Sequence, residues 1–299
     1  MNDPTEQPAR FSVGVVGAGR VGAVLGAALH RVGHRVVACS AVSEASLERA
    51  RELLPGIPVR EVQDVVAAAD LVLLAVPDDA LAGLVDGLAA TGAFHAGQVV
   101  VHTSGRHGVG IFEAAARSDI LPLAIHPAMT FTGTAIDLDR LTDCCFGVTT
   151  LKELRPLGEA LVLEMGGEPV WIEEEDRPLY HAALTHGSNH LVTLVAESME
   201  LLDDAGVDHP GRLLSPLLGA ALDNALRLGD QALTGPVARG DAGTVAEHLA
   251  ELAAAPGIRS SYRALARATV QRAVARGRLR PAEAASVLAV LDEEMQQED

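Results

Sequence analysis

The chain has 299 residues, of which 48% are hydrophobic, and its formal net charge is -17 at pH 7. This length favours two domains over one, and the negative charge argues against nucleic-acid binding, which requires clustered cations to neutralise phosphates. The apolar runs are broken by Gly, Pro or charge, and none is long enough to span a bilayer. With a polar leader and no signal region, the sequence predicts a soluble, cytoplasmic protein without nucleic-acid or membrane partners.

The first predicted element is a strand that begins at Phe11 and leads directly into glycines spaced G-x-G-x-x-G. In such a loop Gly17 permits a tight turn, Gly19 lets the backbone approach a pyrophosphate, and Gly22 lets the next helix pack against the strand. The negative charge of a dinucleotide then lies on free N–H groups at the helix N-terminus. Strand, loop and helix occur in the required order, which favours dinucleotide binding over an ordinary turn. The predicted cofactor-binding residues of the loop are Gly17, Ala18, Gly19, Arg20, Val21 and Gly22.

Beyond this loop, short β-branched runs alternate with Ala/Leu-rich segments, a pattern typical of βαβ units and a parallel sheet. Further strands are predicted at residues 34–39, 70–76, 98–103, 120–125, 144–150 and 168–172. Helices are predicted at residues 43–54 and 152–165, and another begins at Pro77-Asp78-Asp79. Residues 1–172 are therefore predicted to form an α/β domain, a doubly wound and mostly parallel Rossmann sheet.

The sequence pattern changes after Trp171, where strand signals end and long stretches with helical Ala/Leu periodicity follow. Helices are predicted at residues 176–204, 210–228, 241–254, 259–277 and 281–295. This pattern predicts a second, all-α domain at residues 173–299.

The end of the second strand indicates which dinucleotide is bound. NAD-binding folds typically place a carboxylate there to hold the ribose 2′-OH. This chain instead has small residues, including Ser40, and its first carboxylate is Glu44. A small hydroxyl leaves room for a 2′-phosphate, and Arg20 is placed to pair with it. NADP is therefore favoured over NAD, and Ser40 is predicted to contact the nucleotide; Arg20 as a plain solvated residue is the alternative.

Polar residues interrupt three predicted strands at their carboxyl ends, where ligands bind in open parallel sheets. Val76 and Pro77 are predicted to contact the cofactor, and the aspartates that follow are explained as a helix N-terminus. Ser104 either contacts the substrate or caps a helix. His126, fixed by the following proline, is predicted to act as a general acid or base; the alternative is a structural histidine in an interdomain contact.

A polar stripe marks the first helix of the predicted second domain. At 3.6 residues per turn, His181, Thr185, Ser188 and Asn189 lie on one face, and buried polar groups need partners, so the stripe suggests a lined cleft. His181 and Asn189 are assigned to the catalytic site, and Thr185 and Ser188 to substrate binding. His186 and His190 have a spacing compatible with a metal pair, but no third ligand is apparent, so no metal is predicted.

The segment Leu233-Thr-Gly-Pro-Val-Ala-Arg-Gly-Asp241 interrupts two predicted helices. Turn formation alone explains its glycines and proline, and Asp241 is a suitable N-cap. Arg239 is additionally predicted to bind a substrate carboxylate in a bidentate manner.

These motifs together resemble a poorly characterised bacterial family of oxidoreductases that joins a Rossmann-like domain to a helical domain of unknown function. The resemblance covers nearly the whole chain, and the Leu-Thr-Gly-Pro loop is its most specific part. It implies a C-terminal domain similar to that of 6-phosphogluconate dehydrogenase and a homodimer formed through the C-terminal helices.

A second resemblance concerns the chemistry. His126-Pro127-Ala-Met-Thr is similar to the His-Pro-Met-x-Gly motif of prephenate dehydrogenases, and His181 with residues 188–190 resembles their histidine-bearing helix. In that family the histidine before proline polarises the substrate hydroxyl, which implies the same role for His126. The lysine mechanism of β-hydroxyacid dehydrogenases is not expected, because Thr185 occupies the position four residues before Asn189. Pyrroline-5-carboxylate reductase and deazaflavin-dependent NADP reductases are similar in the nucleotide loop.

The leading hypothesis is an NAD(P)-dependent oxidoreductase, with NADPH favoured, that acts on a small anionic hydroxy/keto or imino substrate in the interdomain cleft. His126 is the predicted general acid or base, with Ser104, His181 and Asn189 orienting the substrate. A prephenate-dehydrogenase-like or deazaflavin-linked NADP reductase is the alternative enzyme. Because no residue pair forms a complete catalytic signature, a non-catalytic dinucleotide sensor is the competing hypothesis.

Overall fold

A computed structural model describes residues 10–292 of the chain. Seven strands form one sheet. They are β1 (Ser12–Val16), β2 (Arg35–Ser40), β3 (Leu71–Leu74), β4 (Val99–His102), β5 (Leu121–Pro127), β6 (Cys145–Thr150) and β7 (Glu168–Trp171). The sheet order is β2-β1-β3-β4-β5-β6-β7. Every neighbouring pair is parallel except β5 and β6, which are antiparallel.

Helices cover both faces of this sheet. Those of the α/β region are α1 (Arg20–Arg31), α2 (Glu44–Leu53), α3 (Val62–Ala67), α4 (Asp78–Ala90), α5 (Ile136–Arg140) and α6 (Arg155–Glu164), with a 3₁₀ helix at Val109–Ser118. Alternate strand residues enter opposite cores: Leu71 packs with α1, α2 and α6, while Val72 packs with α3, α4 and the 3₁₀ helix. Parallel strands buried on both faces require continuous apolar runs, which explains the strand signals in the sequence.

The remaining helices are α7 (Arg177–Asp204), α8 (Pro210–Leu228), α9 (Gly235–Arg239), α10 (Ala242–Glu251), α11 (Pro256–Ala275) and α12 (Pro281–Asp292). Those after α7 include a separate core in which Val245, Val270, Val287 and Leu291 are fully buried or nearly so. No helix among residues 10–292 is both long enough and apolar enough to cross a membrane. The predicted fold class, a mostly parallel Rossmann-like sheet followed by a helical region, is confirmed.

The chain divides into two compact units between Asn189 and His190, within α7. Strand structure ends earlier, at Trp171, and α7 begins at Arg177. Residue 172 is therefore close to the point where strands give way to helices. As a boundary between domains it stays a prediction. All but one of the residues predicted to carry chemistry lie in the first unit; Arg239 lies in the second.

Several predicted element bounds shift in the structure. The helix predicted at 241–254 is α10 followed by a 3₁₀ turn at Leu252–Ala254, because Asp241 caps the helix instead of belonging to it. The helix predicted at 259–277 begins earlier, at Pro256, a residue suited to the first helical position. Residues 293–295 of the last predicted helix lie outside the described part of the chain.

Candidate active site

The glycine loop lies between β1 and α1, and each glycine meets a different requirement. Gly17 has φ +91°, and a Cβ there would lie 2.6 Å from the Ala75 carbonyl oxygen. A Cβ on Gly22 would overlap the Gly17 carbonyl oxygen. Gly19 instead faces open space, with nothing within 4 Å of an added Cβ. The first and third glycines are thus required by the protein's own packing, whereas the space at Gly19 fits the close approach of a pyrophosphate.

Strand β2 is tied directly to this loop. The Ser40 hydroxyl accepts a hydrogen bond from the Gly17 N–H at 3.0 Å, and the Ala18 N–H donates to the Ser40 carbonyl at 2.7 Å. Ser40 therefore shapes the loop from β2. The first carboxylate beyond it, Glu44, pairs with Arg51 at 3.1 Å.

Two arginines meet beside the loop, of which the sequence identified one. A Cβ on Gly133 would lie 2.9 Å from Arg20 Cγ and 2.8 Å from Arg49 Nε, so both side chains pack against this glycine. The segment is held by Asp137, whose buried carboxylate accepts the N–H groups of Thr132 and Gly133, each at 2.8 Å. Arg49 gave no sequence signal because it lies inside α2 and away from any motif.

The segment after β3 packs against Gly17, the first glycine of the loop. Val76 Cγ1 would lie 3.3 Å from a Cβ on Gly17. Pro77 precedes α4, which begins at Asp78 and carries Asp79 in its first turn, as the helix-terminus interpretation predicted. Val76 and Pro77 thus adjoin the predicted cofactor loop.

His126 lies at the carboxyl end of β5 and contacts two residues from the first turns of α7. Its Nδ1 is 2.9 Å from the Tyr180 hydroxyl oxygen, and the two rings meet edge to face. The His181 ring is also perpendicular, with its centroid 6.1 Å away. Gly105 makes room for both histidines, because a Cβ there would lie 2.7 Å from His181 Cδ2 and 3.0 Å from His126 Nε2.

The surroundings of His126 favour its neutral form. Burial lowers its pKa to about 4; the positive charges of Arg177 and His181 act in the same direction, and Asp78 opposes them. Burial penalises the charged imidazolium, and nearby cations repel it. His126 is therefore a neutral imidazole at pH 7.

A cavity of about 370 Å³ opens beside His126, inside the first unit. Its lining consists of His126, Ala128, Met129, Thr130, His181, Leu184, Thr185, Ser188 and Asn189. The predicted stripe is thus brought together with His126: His181, Thr185, Ser188 and Asn189 all line this one cavity. The lining contains hydroxyl, amide and imidazole groups and no carboxylate.

Arg177 is a fully buried cation whose charge acts on His126, and the sequence analysis missed it. Its guanidinium donates to the carbonyl oxygens of Ser104, Ala124 and Gly147 and to the Thr149 hydroxyl, at 2.7–3.2 Å. Burial lowers its pKa to about 10, so it remains charged at pH 7. Arg177 thus joins the segment after β4 to β5 and β6, and its positive charge acts on His126. An arginine in the first turn of a long helix looks like an ordinary solvated residue in sequence, which is why it gave no signal.

Ser104 is positioned by the buried His102. The Ser104 N–H donates to His102 Nδ1 at 3.2 Å, so His102 carries its proton on Nε2, which donates to the Gly108 carbonyl at 2.9 Å. The Ser104 hydroxyl accepts the N–H groups of Arg106 and His107, and therefore caps a turn rather than a helix. The Ser104 carbonyl accepts a hydrogen bond from Arg177, but Ser104 is not part of the cavity lining.

Arg239 is at the end of α9 in the second unit and is exposed. The residue after it, Gly240, has φ +78°, and Asp241 accepts the Thr244 N–H as the N-cap of α10. Its predicted contact with the substrate stays a prediction. Among residues 10–292, no group of three or more His, Cys, Asp or Glu side chains is placed to hold a metal ion.

Comparison with known proteins agrees with this architecture. Residues 1–127 match the family described as Rossmann-like domain, and residues 144–269 match the domain of unknown function DUF2520. The fold is therefore that of a Rossmann-like protein with a helical C-terminal region. The chain thus combines a Rossmann-like match with a DUF2520 match, which is the combination that its motifs resemble.

Solved structures share this fold at low sequence identity. A Bacteroides fragilis protein proposed to be an NADP oxidoreductase is 21% identical, with 87% of this chain and 98% of that chain covered at a TM-score of 0.73. An imine reductase variant from Myxococcus stipitatus, in complex with NAD+, is 17% identical, with 93% and 99% covered at 0.61. A Plasmodium falciparum pyrroline carboxylate reductase with NADP bound is 12% identical, with 93% and 98% covered at 0.58. The chain has no match among curated proteins.

Proposed function

We propose that the protein is an NADPH-linked oxidoreductase that transfers a hydride to or from a small anionic hydroxy/keto or imino substrate. The observation that carries the proposal is the cavity at the end of β5, where neutral His126 and the polar stripe of α7 lie in the same unit as the glycine loop. Ligands bind at this edge of open parallel sheets. The names of the solved neighbours, which include NADP oxidoreductases and imine reductases, support the same class.

The glycine loop is suited to hold the cofactor. Gly17 and Gly22 shape the turn, Gly19 leaves the approach open, and the N-terminal N–H groups of α1 favour a pyrophosphate. A nicotinamide dinucleotide bound there would supply or accept the hydride. Val76 and Pro77 adjoin the loop on the side of β3 and are proposed to contact the cofactor.

The preference for NADP rests on the residues beside β2. Ser40 provides no carboxylate for a ribose 2′-OH, whereas Arg20 and Arg49 meet at Gly133 next to the loop. Guanidinium groups bind phosphate through charge-assisted hydrogen bonds. We therefore assign a 2′-phosphate to this arginine pair, which makes NADP the preferred cofactor over NAD.

An anionic substrate suits the electrostatics of the cavity. Its lining has no carboxylate, and Thr130, Thr185, Ser188 and Asn189 offer hydrogen-bond donors. Arg177 adds a buried positive charge nearby. His181 and Asn189 orient the substrate, His126 transfers the proton, and Arg239 is proposed to bind a substrate carboxylate.

The experiment that tests the cofactor assignment is a fluorescence titration with NADPH and NADH. We expect the wild type to bind NADPH more tightly than NADH, and Gly19→Ala to weaken NADPH by roughly 10- to 100-fold, since a methyl group blocks the pyrophosphate. Gly83→Ala is the matched control, because it too adds a methyl group in open space, on α4. Both variants are expected to keep the wild-type melting temperature. Arg49→Ala should weaken NADPH and leave NADH unchanged.

Three possible results of this titration would contradict three different parts of the proposal. If neither nucleotide binds the wild type, the proposed function is wrong. If Gly19→Ala binds as well as Gly83→Ala does, the glycine loop is not the pyrophosphate site. Equal binding of NADPH and NADH would remove the arginine-pair assignment alone.

We further propose a homodimer formed through the C-terminal helices. Helix α8 buries only Pro210 and Leu214, while Leu217 and Leu226 are 61% and 80% exposed. Val192 on α7 is also 67% exposed. Apolar surface in contiguous patches marks an interaction site, and a second copy of the chain is the partner that the resemblance implies.

The dimer is tested by light scattering at several protein concentrations. We expect a mass of two chains for the wild type and for Leu217→Met, which keeps an apolar side chain. Leu217→Glu should shift the mass toward one chain, because an interface that buries an unpaired carboxylate is destabilised by several kcal/mol, of order ~3. A monomeric wild type contradicts the proposal.

A further inference from the structure

We propose that Tyr180 is a positioning residue that holds His126 in the Nε2–H tautomer and resupplies the proton that His126 gives to the substrate. The proposal rests on the proposed role of His126 and deepens it by identifying where the proton comes from. It follows from the joint placement of Tyr180, Gly147 and Arg177 around His126.

The contacts of the Tyr180 hydroxyl favour one tautomer of His126. The Tyr180 oxygen lies 2.9 Å from His126 Nδ1. The Gly147 backbone lies beside the same oxygen, since a Cβ on Gly147 would be 2.5 Å from it, and it lowers the pKa of Tyr180. On this proposal the phenol donates its proton to His126 Nδ1, which is then the unprotonated nitrogen. A neutral imidazole has one N–H, and here that N–H is on Nε2.

Among the described residues, Asp78 is the acidic group that acts on His126, and basic groups oppose it. The charged and titratable groups that act on it are Arg177, His181 and Asp78, and Tyr180 is its hydrogen-bond partner. Two of these groups are basic, and their repulsion adds to the effect of burial in keeping His126 neutral. Its Nε2 is the nitrogen beside Gly105, next to His181.

Gly147 is the position that lets Tyr180 approach. It pairs with His126 across the antiparallel β5–β6 ladder. A Cβ on Gly147 would lie 2.5 Å from the Tyr180 hydroxyl oxygen and 2.7 Å from Cζ. Any other residue would displace the phenol from His126, so the contact is built into the sheet.

Arg177 favours the charge that Tyr180 acquires when it gives up its proton. Its guanidinium carbon is 5.8 Å from the centre of the Tyr180 ring. Burial raises the pKa of Tyr180, whereas the positive charge of Arg177 and the Gly147 hydrogen bond lower it. The phenol is therefore protonated at rest, and its phenolate forms next to a fixed cation. Since Arg177 is itself bound to backbone carbonyls of three segments, no rearrangement is needed.

The proton transfers balance as follows in the direction of reduction. When the substrate carbon of a C=O or C=N bond accepts a hydride, the π electron pair moves to oxygen or nitrogen. That atom takes the proton from His126 Nε2 while His126 Nδ1 takes the proton from the Tyr180 hydroxyl. The imidazole ends neutral with its proton on Nδ1 and the phenol as phenolate. The resting state returns when Nε2 takes a proton from water and Nδ1 gives its proton back to the phenolate. Oxidation runs through the same steps in reverse.

The tautomer can be measured without substrate or cofactor, by ¹⁵N NMR of histidine-labelled protein. The chain has 11 histidines, and the signal lost in His126→Asn identifies His126. We expect a protonated Nε2 and an unprotonated, hydrogen-bonded Nδ1 at pH 7 in the wild type. In Tyr180→Phe the Nδ1 signal should move to the position of a nitrogen without a donor, or the two tautomers should mix.

The chain provides a matched control, because its only other tyrosine is placed in the same way. Tyr262 has its hydroxyl 2.9 Å from His248 Nδ1, with the two rings edge to face. Tyr262→Phe should leave the His126 signals unchanged. The proposal is wrong if His126 carries its proton on Nδ1 in the wild type, or if Tyr180→Phe leaves its signals unchanged.

A kinetic comparison then tests the proton supply. Once a substrate is identified, Tyr180→Phe is expected to lower kcat roughly 10- to 100-fold, part of the usual contribution of acid–base catalysis, with KM and the NADPH Kd unchanged. Tyr262→Phe should keep the wild-type kcat. An unchanged kcat in Tyr180→Phe would overturn the resupply step, while the NMR result stands by itself even if the protein does not bind NADPH.

Discussion

Replacing His126 with asparagine is expected to lower kcat by roughly 10²- to 10⁴-fold, the usual contribution of a positioned acid or base, and to leave NADPH binding unchanged. The reason is geometric: His126 lines the cavity at the end of β5, whereas the glycine loop lies at the end of β1. Asparagine retains a hydrogen-bonding group of similar reach but cannot exchange a proton near neutral pH. The measurement is single-turnover hydride transfer from labelled NADPH into a panel of small keto and imino acids.

The pH dependence gives this prediction a second readout. Burial and the neighbouring cations lower the pKa of His126 to about 4, so the neutral form that donates from Nε2 persists throughout the neutral range. Activity should therefore show no loss attributable to His126 between pH 8 and about pH 5, and should fall only as pH approaches about 4. A histidine with an ordinary pKa would instead lose its neutral form near pH 6.5.

The control for His126→Asn is His30→Asn, which changes an exposed histidine at the end of α1. It should keep full activity. If His126→Asn is as active as His30→Asn, the assignment of His126 is wrong. If the wild type binds NADPH and transfers no hydride to any tested substrate, the result favours the competing hypothesis of a non-catalytic sensor.

The α/β fold was predictable because its signals are local. Leu71 and its neighbours form a continuous apolar run that only a doubly covered parallel strand requires, and the glycines at 17 and 22 are fixed by contacts within one strand–loop–helix unit. The division after Asn189 was not predictable, because it falls inside an uninterrupted helix. Periodicity identifies a helix, but it carries no information about which neighbours each turn contacts.

The sequence predicted most of the polar residues that line the cavity but not the residues that hold them in place. His126 and the stripe from His181 to Asn189 were found because polar residues stand out in an apolar strand or on one helical face. Tyr180, His102 and Arg177 were missed because their importance depends on contacts across 28 to 73 residues of sequence or on burial. Arg177 is the clearest case, since an arginine is normally exposed and only the structure buries it completely.

Lowering the pH from 7 to 5 is expected to destabilise the protein by about 2 kcal/mol through His102 alone. Burial lowers the pKa of His102 from 6.5 to about 4, and its side chain is fully buried between the Ser104 N–H and the Gly108 carbonyl. The unfolded state therefore binds a proton first as pH falls below 6.5. The stability from His102 is complete above that pH and is lost progressively down to about pH 4. His126 contributes with the same sign.

Urea unfolding at pH 7 and pH 5 measures this effect, with His102→Gln as the comparison. Glutamine removes the titration, so the variant should be less stable at pH 7, where its hydrogen bonds fit less well, and its stability should change less between the two pH values. Asp70, Asp230 and Asp241 titrate below this window, because their folded-state pKa values are lowered from 3.8. An equal pH dependence in the wild type and in His102→Gln would show that His102 titrates alike in the folded and unfolded states. In that case the buried Ser104–Gly108 turn is held by something other than a neutral imidazole.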